Sequence, residues 1–181
     1  SVDVLEHVHA DDRQKFLEEL LRVTRGQTIV AGPYHSPAVV RAEEILFDYI
    51  KERTHIEHRY LGEHSRFGLP HAADVSNVLR ALGAREVLSI PNIPLDVWLL
   101  IMGAYFCLDA DPRFTRACRL LSRFLNEQRD NLETSEHSYR RICIASKASF
   151  TDHQRQTIQR LLQDPAGQPD DFSQALKVLD R

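Results

Sequence analysis

Ser1–Pro33, SVDVLEHVHADDRQKFLEELLRVTRGQTIVAGP, is the stretch whose reading decides the fold. Ser1 to Leu5 carries Val and Leu at positions 2, 4 and 5 and reads as a buried strand. Asp11 to Arg25 reads as the helix after it. It has acids at its start, an apolar stripe of Phe16, Leu17, Leu20, Leu21 and Val23, and Gly26 as a stop signal. Gln27–Pro33 is a β-branched run closed by Gly32–Pro33, hence a second buried strand. Two strands joined through a helix form a βαβ unit, which predicts a parallel pair.

Working outward, Ser36–Pro37 opens another helix, with serine as N-cap and proline at the first helical position. That helix runs through AVVRAEEILFDYIKER. THIEHRYLGEHSRFGLP has no clear period and reads as a loop rich in His, Arg and Gly. From His71 to Leu82, Val75, Val78, Leu79 and Leu82 mark a short amphipathic helix ended by Gly83. REVLSIPN is a third strand ending at Pro91. About 94–131 is a mostly helical insertion broken near DADP, and SYRRICIAS is a fourth strand. Two short helical patterns follow, Asp152–Gln163 and Asp171–Leu179, around the breaker-rich DPAGQP. The expected organisation is one α/β domain over residues 1–147 and a C-terminal helical tail over 148–181.

The 181 residues are 43% hydrophobic, enough to bury a core, and carry a net charge of −3. Charges of both signs are interspersed, so the clustered basic face that nucleic acid requires is absent. Cys107, Cys118 and Cys143 are odd in number and form no CxxC, which supports neither a zinc knuckle nor a disulfide framework. Buried, reduced thiols and an N-terminus without a basic, then apolar, leader lead to the expectation of a cytoplasmic protein. The longest apolar run, Val97–Leu108, is shorter than the ~20 residues of a membrane span and suggests a buried helix or an oligomer contact. Docking of this run on a membrane surface is the minor alternative.

The strand-exit DVLEHV, the helix DRQKFLEELLRV and the strand TIVAGP, at this spacing, resemble the C-terminal half of a class I S-adenosylmethionine-dependent methyltransferase. HAADVSNVLRALGAREVLSIPN is similar to that family's helix-glycine-strand step before its last two strands. The resemblance covers about residues 1–147 and implies a partial Rossmann-like sheet with inserted and C-terminal helices. It also implies that the final strand, Tyr139–Ser146, lies antiparallel in the sheet. In the family a glycine-rich turn approaches the methionine end of the cofactor and an acid takes the ribose hydroxyls. The seven glycines here form no such turn. The resemblance therefore implies a chain that starts at the family's fourth strand, lacks the first half of the domain, and is inactive alone.

Ligands in open α/β sheets sit beyond the carboxyl ends of strands. On the resemblance, Asp3, Val4, Leu5, Glu6 and His7 border the methionine and sulfonium end of S-adenosylmethionine, where a carboxylate suits a cationic sulfur. Without it, Glu6 and His7 would serve as helix-capping residues. Methylation of a hydroxyl requires a base, and His7 and His35 are the candidates, with Tyr34 as an orienting neighbour. Asp3-x-x-Glu6-His7 also resembles the acid-x-x-Glu-His of methyltransferases that hold a divalent metal, for which His35 would be the further ligand. Many relatives carry LEH without a metal, so no metal ligand is assigned and a divalent cation stays the minor alternative. His55, His58, His64 and His71 share no tight helical spacing and read as a solvated loop.

The expected function is S-adenosylmethionine-dependent methyl transfer, at oxygen, to a small molecule, glycan or lipid-linked precursor. The rival is a non-catalytic, methyltransferase-like interaction module that pairs, as a homo-oligomer or with a partner, through residues 97–108 or the C-terminal helices.

Overall fold

A computed structural model describes residues 1–109, 115–128 and 138–156 of the chain. Among these residues three strands form one sheet: β1 (Gln27–Pro33), β2 (Glu86–Pro94) and β3 (Ser138–Ser146), in the order β1-β3-β2. β3 pairs antiparallel with both neighbours, with Val30 and Ser89 flanking Cys143 from either side. β1 and β2 consequently run in the same direction without bonding to each other. The chain is α/β, with six helices among the described residues.

The opening strand is shorter than its apolar residues predict. Val2 makes a single parallel bridge to Ala31, supported by Asp3 N–H donating to the Ala31 carbonyl at 2.8 Å and Ala31 N–H to the Ser1 carbonyl at 2.9 Å. Asp3 then turns the chain at φ +50°, and Leu5–His7 winds into a 3₁₀ turn that drops Leu5 into the core. Burial of Leu5 thus comes from a turn, not a strand. The expected parallel pairing survives at this one bridge, while the three named strands form an antiparallel sheet.

After a second 3₁₀ turn, Ala10–Asp12, helix α1 (Arg13–Val23) buries Leu17 and Leu21 against α4 (Ala72–Ala81) and one face of the sheet. The alternation of β3 separates two cores: Cys143 and Ala145 face α1 and α4, and Ile142 and Ile144 face Ile90 and Phe150. Helix α2 (Pro37–Thr54) starts as predicted, with Val39 N–H donating to Ser36 Oγ at 3.1 Å. It packs Val39, Leu46 and Ile50 with Trp98 of α5 (Leu95–Asp109) and Tyr139 of β3 in a third cluster. Helix α6 (Thr115–Gln128) follows α5, so the expected helical insertion is present where the residues are described.

Two boundaries depart from the sequence reading. Residues 54–70 are not a loop, because Arg59–Phe67 forms helix α3. Its N-cap is His58, whose Nδ1 accepts from Leu61 N–H at 3.3 Å, and Leu61 and His64, one turn apart, provide its buried face. An imidazole cap and a buried histidine hide this helix from a reading based on apolar period. β2 runs past Pro91 to Pro94, since it is an edge strand in the described sheet and loses no ladder bond on its outer side.

Cys143 is buried and free, and no helix among the described residues is long and apolar enough to cross a membrane. Residues 152–156 are helical. The remainder of the Asp152–Gln163 pattern, the Asp171–Leu179 pattern and part of DADP lie outside the described residues.

Candidate functional site

The 3₁₀ turn Leu5–His7 sits against α3, and this contact builds the site. Glu6 is 1% exposed and lies so close to β1 that a Cβ on Gly32 would stand 2.9 Å from its Oε2. Glycine leaves the carboxyl its room there, and a side chain at position 32 would push it aside. Glu6 Oε2 has no hydrogen-bond partner among the described residues. Burial pushes the Glu6 carboxyl up to about 7, with the charge of Asp3 adding to the rise. A backbone hydrogen bond and the electrostatic influence of His64 and Arg140 act in the opposite direction.

His7 turns its Nδ1 to Glu63 Oε2 at 3.0 Å, and Glu63 in turn accepts from Arg59 Nε at 2.8 Å. The Arg59 hydrogen bond holds the Glu63 carboxyl below the usual range, so Glu63 is an acceptor. His64 turns its Nδ1 to Glu43 Oε1 at 2.9 Å, and the same oxygen accepts from Tyr139 O–H at 2.8 Å. The Tyr139 ring is stacked on Trp98 with centroids 3.6 Å apart, which fixes the hydroxyl over Glu43. Burial, with the Glu43 charge next in effect, raises the Tyr139 phenol well above its ordinary value.

In the tautomers that let each Nδ1 donate to its carboxylate, the Nε2 lone pair of each ring is left over. These two Nε2 atoms face each other at 3.4 Å, and Glu6 Oε1 lies 4.0 Å from that of His7. The ligand atoms of Glu6, His7 and His64 all lie within 4.8 Å of one another. A carboxylate behind each imidazole and free nitrogens in front is an arrangement suited to receiving a proton or a cation. Beside it, α2 and α3 enclose a cavity of about 470 Å³ lined by Glu43, His64, His35, Arg41, Asp48 and Gly62, among others.

Of the residues singled out in the sequence, Glu6 and His7 meet in the cluster. Asp3 stands next to it in an ion pair with Arg140 at 2.5 Å. Val4 is exposed and Leu5 belongs to the core. His35 is not part of the cluster; it reaches the cavity wall, with its ring 4.2 Å from that of His71. Tyr34 does not orient His35, since its ring is in the core and its hydroxyl has no partner among the described residues.

Glu43, Glu63, His64 and Tyr139 were missed. The sequence held a signal for one of them: Glu43 shares the apolar stripe of Val39, Leu46 and Ile50, and an acid on such a stripe requires a buried partner. No protein-family model, curated protein or solved structure matches this chain.

Proposed function

We propose that this chain provides the sulfonium and acceptor side of an S-adenosylmethionine-dependent methyltransferase domain acting on a hydroxyl. The observation that carries the reading is the placement of Glu6 and His7. They follow directly on a strand segment parallel to β1, at its carboxyl end, where an α/β sheet receives its ligand. The antiparallel course of β3, which the resemblance requires of the final strand, supports it. So do Val2 and Ile29, 60% and 45% exposed, which leave apolar side chains uncovered where this reading places the rest of the sheet.

In the proposed reaction an acceptor oxygen attacks the methyl carbon in line with the C–S bond. The bond's electron pair passes to sulfur, releasing S-adenosylhomocysteine, and the hydroxyl proton leaves to the Glu6–His7–His64 cluster. The cavity between α2 and α3 would receive the acceptor, a small molecule, glycan or lipid-linked precursor. No glycine-rich turn for the methionine end occurs among the seven glycines, so that half of the cofactor site must come from other polypeptide.

Calorimetry of S-adenosylhomocysteine against the product of the complete natural gene tests this reading. Saturable binding that Asp3→Ala and Glu6→Gln each weaken is the expected result. If the complete protein does not bind, methyl transfer is rejected and the non-catalytic interaction module takes its place.

A further inference from the structure

His7 Nε2 and His64 Nε2 stand 3.4 Å apart, and in the tautomers that let each Nδ1 donate to its own carboxylate the two lone pairs face each other and call for positive charge between them. A further, independent observation concerns the carboxylate beside the pair: Glu6 is 1% exposed, its Oε1 lies 4.0 Å from His7 Nε2, and its Oε2 has no partner among the described residues. Buried carboxylates are expected to be paired, hydrogen-bonded or bound to a cation. Ligands about 2.1 Å from a tetrahedral cation stand about 3.4 Å from each other, the separation of the two nitrogens.

We propose that Glu6, His7 and His64 bind one divalent transition-metal cation through both Nε2 atoms and the Glu6 carboxylate. Glu63 and Glu43 act behind it, fixing the tautomer and aim of His7 and His64. Closing the 4.0 Å gap from Glu6 Oε1 to His7 Nε2 requires a shift of less than an ångström, within reach of a carboxyl rotation. Two imidazoles and one carboxylate favour zinc, cobalt, iron or manganese over magnesium and calcium, which prefer all-oxygen sets. Three protein ligands leave coordination positions open, and these would hold the hydroxyl of an acceptor entering from the α2–α3 cavity; with the cluster's lone pairs on the cation, the cation takes over from the cluster in promoting loss of the hydroxyl proton, which leaves to solvent. Cation binding stands by itself; the assignment of the open positions to an acceptor rests on the methyl-transfer reading.

The test is calorimetric titration of the chelator-treated full chain with Zn²⁺, repeated with Co²⁺ to read its visible absorption. One equivalent with a tetrahedral Co²⁺ spectrum is expected. His64→Ala and Glu6→Gln should each weaken binding by more than about 100-fold, and Glu63→Gln, a partly exposed position whose change spares the fold, by about 10- to 100-fold. His35→Ala should bind as the unaltered protein does. Absence of stoichiometric binding would overturn the proposal and leave a proton shared between the two Nε2 atoms. Unchanged binding by Glu63→Gln and Glu6→Gln would overturn it even where His64→Ala does not fold. Loss on His35→Ala alone would move the site to the His35–His71 pair. The metal readout involves no cofactor, so it separates failure of this site from failure of the methyl-transfer reading.

Discussion

His7 and His64, 57 positions apart in the sequence, hold their Nε2 atoms 3.4 Å from each other while each directs Nδ1 to a different glutamate. The pair is assembled from both sides. Glu63 and Arg59 of α3 steady His7, and Glu43 of α2 with Tyr139 of β3 steadies His64. The four supporting side chains come from three elements, so the separation of the rings reports how α2, α3 and β3 pack. A change far from the two histidines can therefore alter their aim.

Tyr139→Phe is the simplest such change. It deletes one donor to Glu43 Oε1 and leaves the ring free to stack on Trp98. Loss of a buried hydrogen bond to a charged acceptor is expected to cost about 1.5–3 kcal/mol. Urea unfolding should show a lower midpoint with an unchanged slope. In the same variant the His64 ring resonances should shift in NMR spectra while those of His35 stay in place. An unshifted His64 would show that Glu43 is held without Tyr139.

Much of the fold was legible because its signals are local. Ser36–Pro37 starts α2, Gly83, at φ +99°, follows α4, and the alternation in SYRRICIAS marks β3. The miss of α3 has a clear physical origin, the use of polar residues for structural tasks usually given to apolar ones. His58 caps α3, and His64 lies on its buried face beside Leu61. Within the site, Glu6 and His7 were found because they follow a strand. His64 and Glu43 were not, since their meeting depends on α2 and α3 packing across 21 residues of sequence. His35 was chosen on the same strand-end logic as His7, yet its ring turned to His71.

Gly32→Ala tests the close approach of β1 to Glu6. The added Cβ would lie 2.9 Å from Oε2, so the Glu6 carboxyl, 1% exposed, must shift to admit it. Overpacking of this kind is expected to destabilise the protein by about 1–3 kcal/mol. A Gly32→Ala/Glu6→Ala double variant should recover part of that loss in denaturant titrations, because the shortened side chain frees the space. Additive losses would mean that the strain lies in the backbone of β1.

Cys143 should be inert in the native protein. Its thiol is buried between α4 and the sheet, and burial pushes its ionisation up, so little thiolate forms near neutral pH. Alkylation with iodoacetamide followed by peptide mass mapping should leave Cys143 unmodified until denaturant is added. Labelling of Cys143 at the rate of a free thiol in native buffer would contradict the packing of β3 against Val75 and Leu79.

Glu6 should make the metal-free protein less stable as pH rises. Its carboxyl sits at about 7 in the folded chain against 4.5 for the unfolded reference, mainly through burial. Between those values the folded state keeps a proton that the unfolded state has released, so this group's contribution is full below pH 4.5 and declines as pH rises through 7. The shift corresponds to a loss on the order of 3 kcal/mol by slightly alkaline pH. The titratable and charged groups bearing on Glu6 include Asp3, which raises its ionisation, His64 and Arg140, which lower it, Arg13, and His7 at 4.0 Å. Because those neighbours titrate too, the informative quantity is the difference between the unaltered protein and Glu6→Gln, both kept in chelator. Denaturant unfolding across pH 4.5 to 8 should show Glu6→Gln gaining on the unaltered protein as pH rises, then levelling off above about 7. A pH-independent difference would mean that Glu6 is ionised throughout, and that the carboxyl has found a partner for Oε2 in solution.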